Sequence, residues 1–187
     1  ELTQLQSILQ NQIERHGQNV FRDGTVIIPG QVSISNAYTS IQLASQFGGE
    51  DVVVSQYLNT TNPVTITGAT SGVKAQVIGV KAGTSTTQPV LFVQYIATGT
   101  DNETTTFSNS ENISADASIT HTTTYATNVA SATTHTSAAQ TGVSAKVENG
   151  VYYIKGQFVR VAEQTHVISD SDSTANARVG FSITESL

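Results

Sequence analysis

The sequence has no cysteine and no tryptophan, and its 187 residues include only 3 prolines. Without cysteine the chain forms no disulfide, no thiolate metal site and no cysteine nucleophile. No apolar run approaches the roughly 20 residues that a membrane helix needs, and no signal peptide opens the chain. A robust extracellular protein without disulfides must gain stability in another way, and oligomerisation is a common source of it.

Charged residues are scarce as well, at 12% of the chain, against roughly 25% in average globular proteins. The formal net charge is −6, whereas nucleic acids and anionic membranes select proteins rich in Lys and Arg. We therefore expect neither nucleic-acid binding nor insertion into a membrane. The first residue is Glu1 rather than Met, so we interpret the chain as a processed protein or a fragment of a longer one.

The remaining composition is typical of β-structure. The chain is 37% hydrophobic with 14 glycines, which indicates a folded protein with a core rather than a disordered one. Thr, Val and Ile favour strands because a branched Cβ packs well on a pleated surface. The predicted fold class is mainly β: an N-terminal amphipathic helix, a small antiparallel sheet, and an inserted antiparallel β-barrel or sandwich subdomain.

The helix is predicted at Glu1–His16, and Gly17 is predicted to cap its C-terminus in the left-handed conformation. Its apolar residues recur every three or four positions and form one stripe: Leu2, Leu5, Leu9 and Ile13, widened by Ile8. Two interpretations remain open. The helix caps a sheet, or it is an assembly interface in which several helices meet around a symmetry axis. Two heptads are too short to hold a coiled coil alone.

Residues 1–47 are predicted to hold this helix and the first strands. A turn is expected at Arg22–Thr25 and a break at Pro29–Gly30. The runs between and after them read as strands: Val26–Ile28, Val32–Ser35 and Ser40–Leu43.

Residues 48–114 are predicted to form the inserted barrel-like subdomain, because short apolar runs alternate with Asn-, Gly- and Thr-rich turns. The predicted strands are Asp51–Leu58, Val64–Thr67, Val73–Lys81 and Pro89–Ala97, with closure near Phe107–Ile113. Gly68–Gly72 lacks the Lys and the following helix of a phosphate loop and is interpreted as a hairpin turn.

Residues 115–142 are almost entirely Ser, Thr, Ala, Asn and His. They are interpreted either as a flexible loop or as extended strands that need a partner subunit. Residues 143–187 are predicted to rejoin the first sheet. Asn149–Gly150 is expected to be the turn of a hairpin, with Val151 or Tyr153 in its core. Two further strands are expected at His166–Ser169 and Arg178–Thr184.

No catalytic constellation is present in the sequence. The carboxylate pairs Glu50 with Asp51 and Asp101 with Glu103 lie in predicted turns, where solvation keeps them ionised. Asp170–Ser173 lacks the Gly and the distal Glu of a calcium loop and reads as an acidic turn. Nucleophile-elbow, phosphate-loop and dinucleotide motifs are missing. We therefore predict no enzyme activity, no catalytic residues and no cofactor.

The histidines do not form a metal motif either. The four are His16, His121, His135 and His166. None has the spacing of a metal ligand relative to another histidine or a carboxylate, so no metal site within one chain is predicted. A site built by His121 or His135 from several subunits on an axis is the alternative. Otherwise both are ordinary exposed histidines.

Several segments resemble large virion structural proteins of contractile-tailed phages, especially cyanophages, which carry a domain of unknown function. The segments are Glu1–Arg15, Val20–Gly24, Ile28–Gln31, the Gly-x-Tyr-x-x-x-Gly pattern in Asn149–Val159, and the Thr67–Gly72 turn. The resemblance implies a tail or baseplate fibre-like protein of the virion, assembled in the host cytoplasm, without known activity. It also implies a homotrimer and, as partners, other tail and baseplate proteins.

The first functional hypothesis is therefore a structural module that attaches a fibre-like protein to the tail or baseplate, with Leu2, Leu5, Leu9 and Ile13 at its assembly interface. The alternative is a module that binds a glycan or protein of the host surface. Glycan sites usually cluster aromatic side chains, on which sugar rings stack. Aromatics make up only 6% of this chain and are spread along several strands, which favours the structural hypothesis. An enzyme such as a depolymerase would need a carboxylate pair that is not found.

Overall fold

The computed structural model of the protein describes residues 2–154, 156–182 and 184, without the side chain of Leu2. The chain is mainly β, with 46% of residues in strands and 12% helical, one N-terminal helix and antiparallel sheets. This confirms the mainly β class that the sequence predicts. Glu1, Lys155 and Ile183, which fall within predicted elements, lie outside the described residues, as does the side chain of Leu2.

The helix α1 comprises Leu2–Val20, and a single 3-10 turn lies at Val54–Tyr57. The strands are β1 (Thr25–Ile28), β2 (Val32–Leu43), β3 (Gln46–Phe47), β4 (Glu50–Asp51), β5 (Thr65–Gly68), β6 (Lys74–Lys81), β7 (Val90–Ala97), β8 (Asn112–Ala115), β9 (Ile119–Thr120), β10 (Thr124–Tyr125), β11 (Ala130–Val147), β12 (Gly150–Ile154), β13 (Gln157–Val161) and β14 (Gln164–Ser169).

The chain divides into two compact units, each built from separate segments. The first unit comprises residues 1–35, 144–166 and 181–187, and the second comprises 36–143 and 167–180. The strands β2, β11 and β14 have residues in both. These boundaries are wider than the inserted segment 48–114 expected from the sequence.

The first unit contains α1 and a three-stranded antiparallel sheet in the order β1-β12-β13. Tyr153 on the central strand faces Thr25 on one side and Phe158 on the other. Its side chain is only 1% exposed, as expected for the core of this hairpin.

Three details of the first unit differ from the expectation. The hairpin pairs β12 with β13, so its turn follows Ile154 and Asn149–Gly150 is not that turn. The Asn149 carboxamide instead accepts a hydrogen bond from the Glu163 amide at 3.1 Å, and Gly150 is already part of β12. Residues 178–182 and 184 do not form the predicted strand. The predicted strand at His166–Ser169 exists within β14, but β14 pairs with β11 instead of joining the sheet of β1.

The helix also extends beyond Gly17, which was predicted to end it. The Phe21 amide donates to the Gly17 carbonyl at 2.7 Å, so the helical backbone continues through this glycine. A Cβ at Gly17 would lie 2.3 Å from the Tyr153 hydroxyl oxygen. Gly17 is therefore required for close approach of the tyrosine, not for a left-handed cap.

The second unit contains a seven-stranded sheet in the order β14-β11-β2-β7-β6-β5-β8, and β11 pairs in addition with β8. The runs predicted as strands at Val64–Thr67, Val73–Lys81 and Pro89–Ala97 correspond to β5, β6 and β7. The turn at Gly68–Gly72 joins β5 to β6, as predicted, with Gly72 at φ +68°. One continuous core fills the unit. It is Ile41, Leu43, Val54, Tyr57, Val64, Ile66, Val73, Ala75, Val77, Leu91, Val93, Phe107, Ile113, Ala115, Ile119 and Ala132.

Two segments of this unit depart from the sequence-based picture. Asp51–Leu58 is not a strand, because after β4 it forms the 3-10 turn, whose three-residue period brings Val54 and Tyr57 into the core together. The segment 115–142 contains β9, β10 and most of β11. Its strands pair within the same chain, Thr133 with Asn112 of β8 for example.

Candidate assembly surface

The helix α1 faces its own sheet with polar and small residues. Each residue advances about 100° around a helix, so Glu14, Gly17 and the following Phe21 lie on one side. Glu14 and Gly17 are partly buried, whereas most of the remaining described side chains of α1 are exposed. Tyr153 contacts Phe21 with ring centroids 5.3 Å apart, and its hydroxyl donates to the Glu14 carbonyl at 3.4 Å. The sheet therefore packs against a side of α1 that carries no Leu or Ile.

The apolar residues of α1 point away from that sheet. We define the outward stripe as Leu5, Ile8, Leu9, Ile13 and Val20, whose side chains are 58–65% exposed. Its centre lies about 125° around the helix from the midpoint of Glu14 and Gly17. A surface helix normally turns its apolar side to the core and its polar side to solvent. Here the orientation is reversed, and large apolar side chains lie in solvent.

The stripe contains three of the four predicted interface residues. Leu5, Leu9 and Ile13 lie together on it, and the side chain of Leu2 is outside the described residues. Beside the stripe is a shallow groove of about 250 Å³ between α1 and the turn of the β12–β13 hairpin. Leu9 and Ile13 form its apolar wall, and Gln157 lies at its other side. Glu14 also lines the groove, so an apolar side chain that enters it packs against Leu9 and Ile13 and lies near one carboxylate.

Exposed apolar side chains are concentrated throughout the first unit. Among the described residues, twelve of eighteen exposed large apolar side chains belong to it although it is the smaller unit. Those beyond the stripe are Val26, Ile28, Val32, Ile34, Phe158, Val159 and Phe181. The continuous core lies wholly in the second unit. The first unit thus presents the kind of apolar surface that marks an interaction site.

The predicted candidates for a shared metal site have different surroundings. The His121 ring is held on both sides: Nδ1 accepts a hydrogen bond from the Val53 amide at 3.1 Å, and Nε2 lies 2.7 Å from the Ser131 carbonyl oxygen, to which it donates. His135 Nδ1 accepts from the Ser137 amide at 3.4 Å. Within residues 2–154, 156–182 and 184, no three His, Cys, Asp or Glu side chains are grouped as metal ligands.

The carboxylates noted in the sequence are bound by neighbouring turns. Glu50 accepts from the Thr123 hydroxyl at 2.6 Å and from the Thr122 and Thr123 amides, and these hydrogen bonds, the hydroxyl first, lower its pKa. The Thr104 hydroxyl and amide, with the Glu103 amide, lower the pKa of Asp101 to about 2. Asp172 accepts from the Thr174 amide and hydroxyl. Each stays ionised and structural at neutral pH.

A buried carboxylate that the sequence did not single out joins two loops of the second unit, the Gly68–Gly72 turn and the loop that precedes β8. Glu111 is 3% exposed and accepts hydrogen bonds through both oxygens. Oε2 receives the Thr70 and Ser71 amides, each at 2.9 Å. Oε1 receives the Ser71 hydroxyl at 2.8 Å and the Ser108 amide at 2.7 Å. Because all four donors come from this chain, the group organises the fold.

No protein family matches the chain, and neither a curated protein nor a solved structure gave a significant match. None of the described helices is long and apolar enough to cross a membrane.

Proposed function

We propose that the protein is a structural, non-enzymatic module that assembles into a homotrimer through α1 and attaches a fibre-like protein to a phage tail or baseplate. The observation that carries the proposal is the reversed orientation of α1. A second copy of the chain is the occupant that best fits the outward stripe.

The energetics favour covering the stripe. Complete burial of a Leu or Ile side chain contributes about 1.5–3 kcal/mol. Leu5, Leu9 and Ile13 are each about 60% exposed, so burying them would add about 1–2 kcal/mol apiece. Apart from Arg15 beside Ile8, the side chains flanking the stripe on α1 are uncharged and largely glutamines, so adjacent helices meet little charge repulsion. The same surface on every copy is available, and cyclic assemblies use one surface repeatedly.

The trimer and the virion location rest on the resemblance of the N-terminal and Asn149–Val159 segments to phage structural proteins. A cyclic trimer places three α1 helices around one axis, which agrees with a stripe along the whole helix. The absence of paired, solvent-shielded carboxylates among the described residues supports a structural role over a hydrolytic one.

We also propose that the sheet of the second unit is a closed antiparallel barrel. This is supported by the pairing of β11 with β8 as well as with β2. The pairings therefore pass from β11 through β2, β7, β6, β5 and β8 and return to β11. A closed sheet leaves few free edges, as suits a particle component.

Light scattering during gel filtration tests the assembly. The intact chain is expected to have the mass of a trimer, and a Leu5→Asp, Leu9→Asp variant that of a monomer. A Gln4→Asp, Asn11→Asp variant adds the same charge to the polar side of α1 and is expected to remain trimeric. A monodisperse monomer of the intact chain, well above micromolar concentration, would refute the trimer.

The virion assignment needs a separate experiment. Antibodies against the recombinant chain are expected to label the tail or baseplate of the phage particles in electron micrographs. Labelling confined to heads, or particles purified without any of this chain, would remove the assignment and leave the assembly unaffected.

A further inference from the structure

One ionisable residue, His16, lies within the outward stripe of α1. Leu5, Leu9, Ile13, His16 and Val20 all fall within an arc of about 80° around the helix. The His16 side chain is exposed. Leu5 and His16 are separated by eleven residues, as are Leu9 and Val20. An eleven-residue repeat keeps such a stripe straight or slightly right-handed along the axis, so His16 stays on the stripe between Ile13 and Val20.

The charged groups around α1 point elsewhere. Glu14 lies about 160° around the helix from His16, and a Cβ at Gly156 of the hairpin would lie 2.5 Å from its Cγ. Arg15 lies about 100° from His16, beside Ile8 at the edge of the outward stripe. The sheet that packs on α1 contributes Tyr153 and Arg160. Asp23, in the loop after α1, acts with Glu14 on Tyr153, whose pKa burial and these two carboxylates raise. The acidic groups are therefore on the sheet side of α1.

We propose that protonation of His16 dissociates the assembly formed through α1, so that the trimer is stable at neutral pH and separates at mildly acidic pH. This inference rests on the proposed function. When three α1 helices pack around one axis, His16 of each copy lies at the same level, between the Ile13 and Val20 side chains. A neutral imidazole is tolerated there, whereas three imidazolium charges are desolvated and repel one another.

The direction of the pH dependence of assembly follows from the linkage between assembly and proton binding. The assembled state binds fewer protons than the separate chains because the charged ring is excluded from the stripe. Assembly is therefore favoured where imidazoles are neutral and is lost as the pH falls through the range of about 8 to 5 in which imidazoles take up a proton.

Light scattering of the full chain across that pH range is the test, with circular dichroism at each pH to verify that the chain stays folded. The wild type is expected to be trimeric at the upper end, with a trimer dissociation constant that rises about tenfold or more on acidification. His16→Gln keeps a polar side chain of similar size without a titrating group and is expected to remain assembled. His166→Gln, an exposed histidine of the same unit, is the matched control and should behave as the wild type.

A second variant keeps the test decisive if His16→Gln assembles poorly. His16→Leu extends the stripe and should assemble more tightly, without dependence on pH. The proposal is overturned if the wild type stays trimeric throughout the range, or if His16→Gln or His16→Leu dissociates on acidification as the wild type does. A wild type that is monomeric even at the upper end overturns the trimer and this proposal together. A trimer insensitive to acid overturns this proposal alone.

Discussion

The Tyr57 hydroxyl lies 2.7 Å from Ser131 Oγ inside the core of the second unit, and this hydrogen bond joins the 3-10 turn to β11. Both side chains are almost completely buried. A buried hydroxyl that loses its partner retains its desolvation penalty. Removing either hydroxyl therefore leaves the other one buried without this hydrogen bond.

We expect Tyr57→Phe to lower the free energy of unfolding by about 1–2 kcal/mol, because Ser131 is left unpaired. Ser131→Ala should have an effect of similar size. The double variant should lose less than the sum of the two, since one hydrogen bond is removed in each case. Urea denaturation measures all three, and strictly additive losses would show that the two hydroxyls are not coupled.

Alkaline pH should destabilise the protein through the same tyrosine. Burial raises the pKa of Tyr57 to about 12, whereas an unfolded tyrosine titrates near 10. The stabilising contribution is therefore complete below about pH 10 and is lost as the pH rises through about 12, with a loss approaching 2–3 kcal/mol. Tyr57→Phe should lack this part of the pH dependence. Parallel losses in both proteins would contradict the assignment to Tyr57.

Glu111→Gln should lower the free energy of unfolding by about 1.5–3 kcal/mol, because an amide group replaces an oxygen that accepts two hydrogen bonds from its neighbours. The matched control is Glu103→Gln in an exposed turn, which should change stability by less than about 0.5 kcal/mol. Thermal denaturation of the two variants is sufficient. Equal stabilities would mean that the Thr70–Ser71 turn does not need the carboxylate.

Gly17→Ala should destabilise the first unit, although the same change inside a helix usually stabilises by up to about 1 kcal/mol. The new Cβ would meet the Tyr153 ring and hydroxyl. In a Tyr153→Leu background the clash is absent, so Gly17→Ala should be neutral or favourable there. Hydrogen exchange of β12 amides reports on the unit. A stabilising effect of Gly17→Ala in the wild-type background would show that the tyrosine moves aside easily.

Disulfide cross-linking can report directly on the packing of α1, since the chain has no cysteine of its own. Leu9→Cys should form covalent dimers on mild oxidation, because the proposed trimer would bring the stripes of its copies together at the axis, where two Cβ atoms can approach the roughly 4 Å separation of a disulfide. Asn11→Cys lies on the opposite side of α1 and is the control. Similar yields from both variants would indicate random collision instead of a specific interface.

The elements that could be predicted from the sequence are those with a local signal. Alternating apolar residues between turns locate β5, β6 and β7 because one face of each strand is buried and the turn residues mark the ends. The strand β11 lacks this signal. Its buried positions include small residues such as Ser131, Ala132 and Thr134, and a run of small, partly polar residues produces no clear alternation of apolar and polar positions.

The candidate surface could be predicted only in part, for a related reason. The spacing of Leu5, Leu9 and Ile13 defines an apolar stripe, but the sequence leaves open which side of the helix its own sheet covers. That choice depends on Gly17, whose missing side chain accommodates Tyr153 from a distant part of the chain. Read locally, the same glycine predicts a helix end. A close approach over such a separation has no signature in the neighbouring residues.

In the sequence, segments of the first unit precede and follow residues 36–143 of the second, and this has a consequence for synthesis on the ribosome. α1 emerges early, but β12 and β13 follow only after residues 36–143 have been translated. The second unit can therefore bury most of its core before the strands that pack against α1 have been translated. The sheet that packs against α1 is complete only when β13 has been translated, so the first unit acquires its sheet after every strand of the second unit other than β14 has been translated.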